Sequence, residues 1–175
     1  MTPRVVLVGL PGAGKSTSGR RLARILCVDF ADSDDLVVAA EKRSVRDIFA
    51  ESGEPAFRRA ECSAITAFLH GDFDGVLALG GGALTYEPTR QAILSSRVTV
   101  ALLQASIPTL VGRVGDARTR PLLREDPPAR LATLAKERQP LYESVASMSV
   151  DTDHRTPGQV AAHIAARLHE LGVLT

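Results

Sequence analysis

Eight consecutive residues near the start of the chain, Gly9-Leu10-Pro11-Gly12-Ala13-Gly14-Lys15-Ser16, fit the pattern G-x-x-x-x-G-K-[ST] of a phosphate-binding P-loop. Glycines in such a loop let successive backbone N–H groups turn inward around a polyphosphate. Lys15 adds a point charge for the outer phosphates, and the Ser16 hydroxyl suits Mg²⁺. Three further groups of residues could do chemistry. Asp32-Ser33-Asp34 offers two carboxylates, one for the neighbourhood of a metal and one for an acceptor. Gly80-Gly81-Gly82 lets a backbone approach a ligand closely and present N–H donors. Arg58, Arg120 and Arg138 carry guanidinium forks that match a carboxylate. Each group has a bland reading as well: an Asx-capped turn, a flexible turn, and surface arginines. Arg58 and Glu61, for instance, read as a solvated i,i+3 pair.

The elements that must position these residues alternate. Arg4–Val8 reads as a buried strand and Thr17–Leu26 as a helix with Leu22, Ile25 and Leu26 on one face, which is the setting a P-loop needs. Val28–Ala31 reads as a second strand ending at Asp32. Asp35–Glu41 and Val45–Glu51 read as short helices, and Pro55 opens a longer one to about Leu69. Gly75–Leu79 is a third strand running into the glycines, followed by a helix over Glu87–Ser95 and a fourth strand over Val98–Leu103. A short helix, Pro108–Val114, precedes a polar, Arg- and Pro-rich stretch, Gly115–Pro128. Arg130–Val145 reads as helix, Met148–Val150 as a fifth strand, and Gly158–Leu171 as a last helix with Val160, Ile164, Leu168 and Leu171 on one face. This alternation implies an α/β fold, three layers with a parallel sheet between helices. Ligands of such sheets sit beyond the carboxyl ends of the strands, and Gly9, Asp32, Asp34 and Gly80 all fall there.

Composition bounds the class. The chain has 175 residues, 45% hydrophobic and 23% charged, with a formal net charge of +1. That size suits one domain with a full core, and that balance argues against a nucleic-acid footprint. Nothing approaches the ~20 apolar residues of a membrane span, and no secretory signal is evident. Cys27 and Cys62 form no disulfide framework or metal pair and read as reduced, mostly buried thiols. The expectation is a cytoplasmic protein with access to ATP and Mg²⁺, with no nucleic-acid or membrane partner.

Taken in order, the motifs resemble those of the shikimate kinases, and the resemblance runs essentially end to end. The family's set is a P-loop, a D-[ST]-D, a phenylalanine-rich GE-x(2)-FR-x(2)-E stretch, an LGGG-[AG] strand end, an R-P-L-L lid and an R-x-P-L-Y helix. This chain has Gly9–Ser16, Asp32-Ser33-Asp34, Phe49 with Gly53-Glu54, Phe57-Arg58 and Glu61, Leu79–Ala83, Arg120–Leu123 and Arg138–Tyr142. The opening VLVGLPGAGKST and the ending VDTDHRTPG look actinobacterial.

The resemblance implies a P-loop fold like that of the nucleoside-monophosphate kinases, with five parallel strands in the order 2-3-1-4-5. It implies a single kinase domain over 1–175, with a shikimate-binding segment at about 33–61 and a lid at about 115–128, acting as a monomer. The implied reaction passes the γ-phosphoryl group of ATP to the 3-hydroxyl of shikimate. Gly12, Ala13, Gly14, Lys15, Ser16 and Thr17 would hold the ATP phosphates. Ser16, and Asp32 through a water, would serve Mg²⁺. Asp34 would bind the acceptor hydroxyls and act on the 3-OH. Arg58 and Arg138 would clamp the carboxylate, with Gly80, Gly81 and Gly82 meeting the hydroxyls. Arg120 would close over both substrates, and Arg113, Arg155 and Pro157 would lie against the adenine. Phe49 and Phe57 can wall the ring, or belong to the core.

Three departures stand out. Val38 lies near a customary glutamate, and Glu41-Lys42-Arg43-Ser44 replaces a customary glycine, with consequences expected for the hinge of the acceptor segment. Cys27 stands where a helix-capping glycine is common, so a less clean helix end is expected. A gluconate-kinase-like enzyme of the same fold and a non-catalytic nucleotide-binding module remain the alternatives. A GTPase is disfavoured because the chain has no N-K-x-D.

Overall fold

The computed structural model describes residues 4–71, 75–114 and 126–173. In chain order these form β1 (Val5–Val8), α1 (Lys15–Leu26), β2 (Asp29–Asp32), α2 (Ser33–Glu41), α3 (Val45–His70) and β3 (Gly75–Ala78). A 3₁₀ turn, Ala83–Thr85, leads into α4 (Glu87–Leu94), β4 (Thr99–Gln104), α5 (Ile107–Val114), α6 (Pro127–Glu143), β5 (Met148–Asp151) and α7 (Pro157–Glu170). The five strands pair in the order β2-β3-β1-β4-β5, and every pairing is parallel. Both the α/β class and the expected strand order hold.

Right-handed crossovers then fix the layers. The step from β1 outward to β2 runs opposite to the later steps back through β3 to β4 and β5, so α1 lies on one face and α3 to α6 on the other. α7 packs along α1 on the first face. Residues of β1 and β3 are buried at every position, as an unbroken apolar run demands when both faces are covered. The edge strand β5 instead alternates, with Met148 and Val150 buried and Ser149 and Asp151 exposed.

Local chemistry sets the ends. Asp32 caps α2 by accepting from the Asp34 N–H, so that helix starts at Ser33 rather than Asp35. Asp126 caps α6 by accepting from the Ala129 N–H, and Pro127 begins the helix three residues before the expected Arg130. The two helices expected at Val45–Glu51 and from Pro55 form one kinked element, because Gly53 breaks the helical path with φ 78° and ψ 170°. A small separate core of Val37, Ile48 and Phe57 ties α2 to both limbs of α3.

Three sequence expectations fail on the surface. Ile25 and Leu171 are about half exposed, so the apolar faces of α1 and α7 are narrower than their spacing suggested. Cys27 is exposed and Cys62 half-buried, not buried thiols. Cys27 also ends α1 cleanly. It adopts the left-handed conformation with φ 53°, and the Val28 N–H reaches back to the Ala23 carbonyl at 3.0 Å. Lys42 likewise takes a glycine-like φ of 56°, while Arg43 pairs with Glu41 and Glu51 and fastens the α2–α3 junction. Val38 is exposed on α2.

Candidate active site

β1, β2 and β3 end side by side and deliver Gly9, Asp32 and Gly80 to one edge of the sheet. Beyond β1 the chain must turn at once. Gly9 has φ 146°, and a side chain there would run into the Leu103 carbonyl on β4. The loop then wraps Lys15, which is buried and donates from Nζ to the carbonyls of Gly9 at 2.7 Å and Leu10 at 3.0 Å. This ammonium is held in place by the loop's own backbone.

Ser16, the second residue of α1, donates its hydroxyl to Asp32 Oδ2 at 2.7 Å. The other oxygen, Asp32 Oδ1, accepts from the Asp34 N–H at 3.1 Å. Asp32 is thus both a helix cap and a partner of the P-loop serine, one oxygen for each task. A hydroxyl and a carboxylate at a helix N-terminus are hard oxygen donors that suit Mg²⁺. Among the described residues no group of three His, Cys, Asp or Glu could hold a metal. A cation here would therefore take most of its ligands from phosphates and water, as Mg²⁺ prefers.

Asp34 projects from the first turn of α2 toward Gly80. Burial pushes its carboxyl above the ordinary range, and neighbouring Asp32 adds to the rise; Arg58 and Lys15 pull the other way. Behind Asp34 runs a chain of buried polar groups. The Gly80 N–H donates to Ser33 Oγ at 2.8 Å, and Ser33 donates to Glu61 Oε1 at 3.0 Å. Arg58 Nη1 then donates to Glu61 Oε2 at 2.5 Å. Glu61 is fully buried, so its pair with Arg58 is not the solvated one that spacing suggested. Burial raises the Glu61 carboxyl while Arg58 and Ser33 draw it down. Arg58 also donates to Glu54 Oε1 from Nε at 3.2 Å and Nη2 at 3.1 Å.

The glycine triplet does three different things. Gly80 offers its N–H to Ser33. Gly81 offers its carbonyl to the Tyr142 hydroxyl at 2.6 Å. Gly82 makes room: any Cβ there would collide with the Arg58 guanidinium. Burial pushes the Tyr142 phenol up to about 12, keeping it a donor to Gly81, with Arg138 pulling the other way. A Cβ on Gly81 would stand 3.5 Å from Arg138 Nη1, so α6 brings this guanidinium against the triplet.

These groups surround a cleft of about 1300 Å³. Gly12, Ala13, Gly14, Lys15, Ser16, Thr17, Asp32, Asp34, Arg58, Gly80, Gly81, Arg113, Arg155 and Pro157 all line it. Arg113 is fixed by hydrogen bonds to Thr152 Oγ1 at 2.8 Å and Thr152 O at 2.5 Å. Gly82 and Arg138 stand beside the lining residues rather than among them. Arg120, and the lid apart from its last residues, 126–128, lie outside the described residues. The two phenylalanines divide: Phe49 lines the cleft, whereas Phe57 belongs to the small core. Sequence reasoning missed Ser33, Arg46 and Glu54. Ser33 was hidden as the middle residue of D-x-D. Arg46 stands three residues before Phe49, a spacing that puts both on one helical face.

Comparison with known proteins bears on the family and the fold. The family model described as shikimate kinase matches residues 11–169. A shikimate kinase of Mycobacterium tuberculosis is 47% identical over 169 residues, covering 96% of this chain and 94% of that protein. One from Corynebacterium efficiens is 44% identical, covering 96% and 98%. The solved structure of shikimate kinase from Acinetobacter baumannii in complex with shikimate superposes with a TM-score of 0.91 at 32% identity, covering 99% of this chain and 97% of that one.

Proposed function

The chain belongs to the shikimate kinase family, and from that premise we propose that it transfers the γ-phosphoryl group of ATP to the 3-hydroxyl of shikimate. The products are 3-phosphoshikimate and ADP, on the route to chorismate and the aromatic amino acids. The observation that carries the reading is the meeting of two halves in one cleft: a P-loop with its lysine, and a carboxylate-matching arginine beside Asp34.

On the donor side, Gly12 to Thr17 cradle the phosphates with backbone N–H groups, and Lys15 exchanges its carbonyl partners for the β- and γ-phosphates. Ser16, and Asp32 through a water, would hold Mg²⁺, which would supply positive charge to the phosphate oxygens. Arg113, Arg155 and Pro157 receive the adenine.

On the acceptor side, Arg58 and Arg138 bind the carboxylate, with Gly80, Gly81 and Gly82 close to the hydroxyls. Glu61 keeps the Arg58 guanidinium aimed while Glu54 yields its place to the incoming carboxylate. Phe49 covers the ring. Asp34 orients the 3-hydroxyl for in-line attack and accepts its proton late. An ordinary carboxylate, with a pKa of ~4, is too weak to remove an alcohol proton in advance. The raised value of Asp34 narrows that gap without closing it. In a loose transition state the proton need not leave early, so positioning dominates. Arg120, outside the described residues, takes the closing role over both substrates and excludes water.

We read 1–175 as one kinase domain, with an acceptor segment at about 33–61 and a lid at about 115–128. It acts as a monomer in the cytoplasm, without nucleic-acid or membrane partners. Two free cysteines suit a reducing compartment, and no described helix is long and apolar enough to cross a membrane. The test is coupled ADP release by the purified chain with ATP, Mg²⁺ and either shikimate or gluconate. Release that depends on shikimate and not on gluconate is expected. ATP binding with no shikimate-dependent release would favour the non-catalytic module.

A further inference from the structure

The acceptor half of the cleft contains a cation that the reading above does not use. Arg46, in the first turn of α3, lines the cleft together with Val45 and Phe49. It is exposed, and it makes no ion pair or side-chain hydrogen bond with any described residue. The acids around it are engaged elsewhere. Asp47 accepts from Ser44, Glu51 from Arg43, and Glu54 from Arg58. Arg43, three residues earlier, shows the contrast: it points away into a two-acid pair that fastens the α2–α3 junction. A helix N-terminus also disfavours a cation, so the fold gains nothing from Arg46 at this place.

We propose that Arg46 is a further acceptor-recognising residue, a third guanidinium at the mouth of the cleft that draws in the acceptor's carboxylate before Arg58 and Arg138 take it. Its role rests on shikimate being the acceptor. An exposed cation acts through a screened field, so its contribution depends on ionic strength and falls away beyond the Debye length, about 10 Å at 0.1 M salt. It acts on capture of the acid and not on the phosphoryl transfer step.

The experiment compares wild type with Arg46→Gln, Arg46→Ala and Arg46→Lys by steady-state kinetics at about 20 mM and about 300 mM salt, on either side of that screening range. In low salt the Gln and Ala variants should raise the shikimate KM about 1.5- to fivefold, the size of one exposed charge contact. Their kcat and ATP KM should stay within about twofold, and Lys should restore most of the loss. In high salt the variants should converge on wild type, flattening the salt dependence of kcat/KM for shikimate. Melting temperatures matching wild type would show that folding is unaffected. A Gln variant with the wild-type KM and the wild-type salt slope overturns the role, as does an equal rise in the ATP KM. A wild-type chain with no shikimate-dependent turnover overturns the function together with this role, whereas an active wild type with an indifferent Gln variant overturns the role alone.

Discussion

The two halves of the cleft are built in opposite ways. In the proposed donor half, the part that meets the phosphates is one contiguous stretch, Gly9 to Thr17, whose groups facing the cleft are mostly backbone N–H groups at the start of α1. Its lysine is held by carbonyls five and six residues back. The acceptor half is assembled from α2, α3, the end of β3 and α6, and its working groups are side chains. There the Gly80 N–H meets Ser33 across 47 positions of sequence, and the Tyr142 hydroxyl meets Gly81 across 61. A phosphate is the same in every nucleotide, so a local backbone cradle suffices. A particular acid with a particular set of hydroxyls needs directional side chains, and only long-range packing can hold several of those at fixed distances.

Substitutions should therefore separate the halves. The largest effect is expected at their meeting point. Asp34→Asn should leave ATP affinity within about twofold and lower kcat about 10² to 10⁴-fold, the usual range for a positioned acid–base group. Nucleotide titration and single-turnover assays check this. The same substitution should stabilise the empty protein. Asp34 has a raised carboxyl pKa, so the folded state binds its proton more tightly than the unfolded chain does. Stability from this group is present below the ordinary carboxylate value and is lost as pH rises through the raised one. At neutral pH the asparagine variant should thus melt above wild type, and the difference should shrink as pH falls into the ordinary carboxylate range. Thermal melts from pH 4 to pH 8, spanning that window, read this directly.

A smaller effect is expected behind the acceptor half. Glu61→Gln leaves the Arg58 guanidinium without its buried charge partner. Breaking such a pair typically costs about 3 kcal/mol, to be read by denaturant unfolding. The shikimate KM should rise with it, about tenfold for a loosened charged hydrogen bond, while the ATP KM holds. The smallest effect lies away from the cleft, at the far end of the donor helix. Cys27→Gly should stabilise by about 0.5–1 kcal/mol, because Cys27 sits at φ 53° in the left-handed region that glycine enters freely. Its kinetics should match wild type for both substrates.

The same contrast explains what was legible in the sequence. The donor half could be read almost residue by residue, because its spacing is local and its strand–loop–helix setting is periodic. Asp32 and Asp34 were legible as strand-end carboxylates. The acceptor half was legible only as an ordered set of motifs, since no local rule says that Arg58 and Gly82 will meet. Glu61 shows the limit. At i,i+3 from Arg58 it resembles any solvated pair, and only its meeting with Ser33 and Gly80, remote in sequence, shows it buried. Gly82 was legible as a source of backbone contacts, but not as the place where smallness makes room for the Arg58 guanidinium. Arg46 carried no signal of its own, because an arginine in a polar helix turn is ordinary until the fold turns it toward a cleft. Ile25 and Leu171 erred in the other direction: apolar spacing predicted burial, but α1 and α7 cover each other over a narrower stripe.

The separate construction of the two halves is tested most directly by Arg58→Ala, measured by initial rates with each substrate varied at saturation of the other. The shikimate KM should rise about 100-fold, the scale of a lost two-pronged contact to a charged group. The ATP KM should change less than about twofold, because no backbone donor of the P-loop depends on Arg58. A similar rise in both constants would contradict the account, since it would mean that donor and acceptor are not held by independently built halves of the cleft.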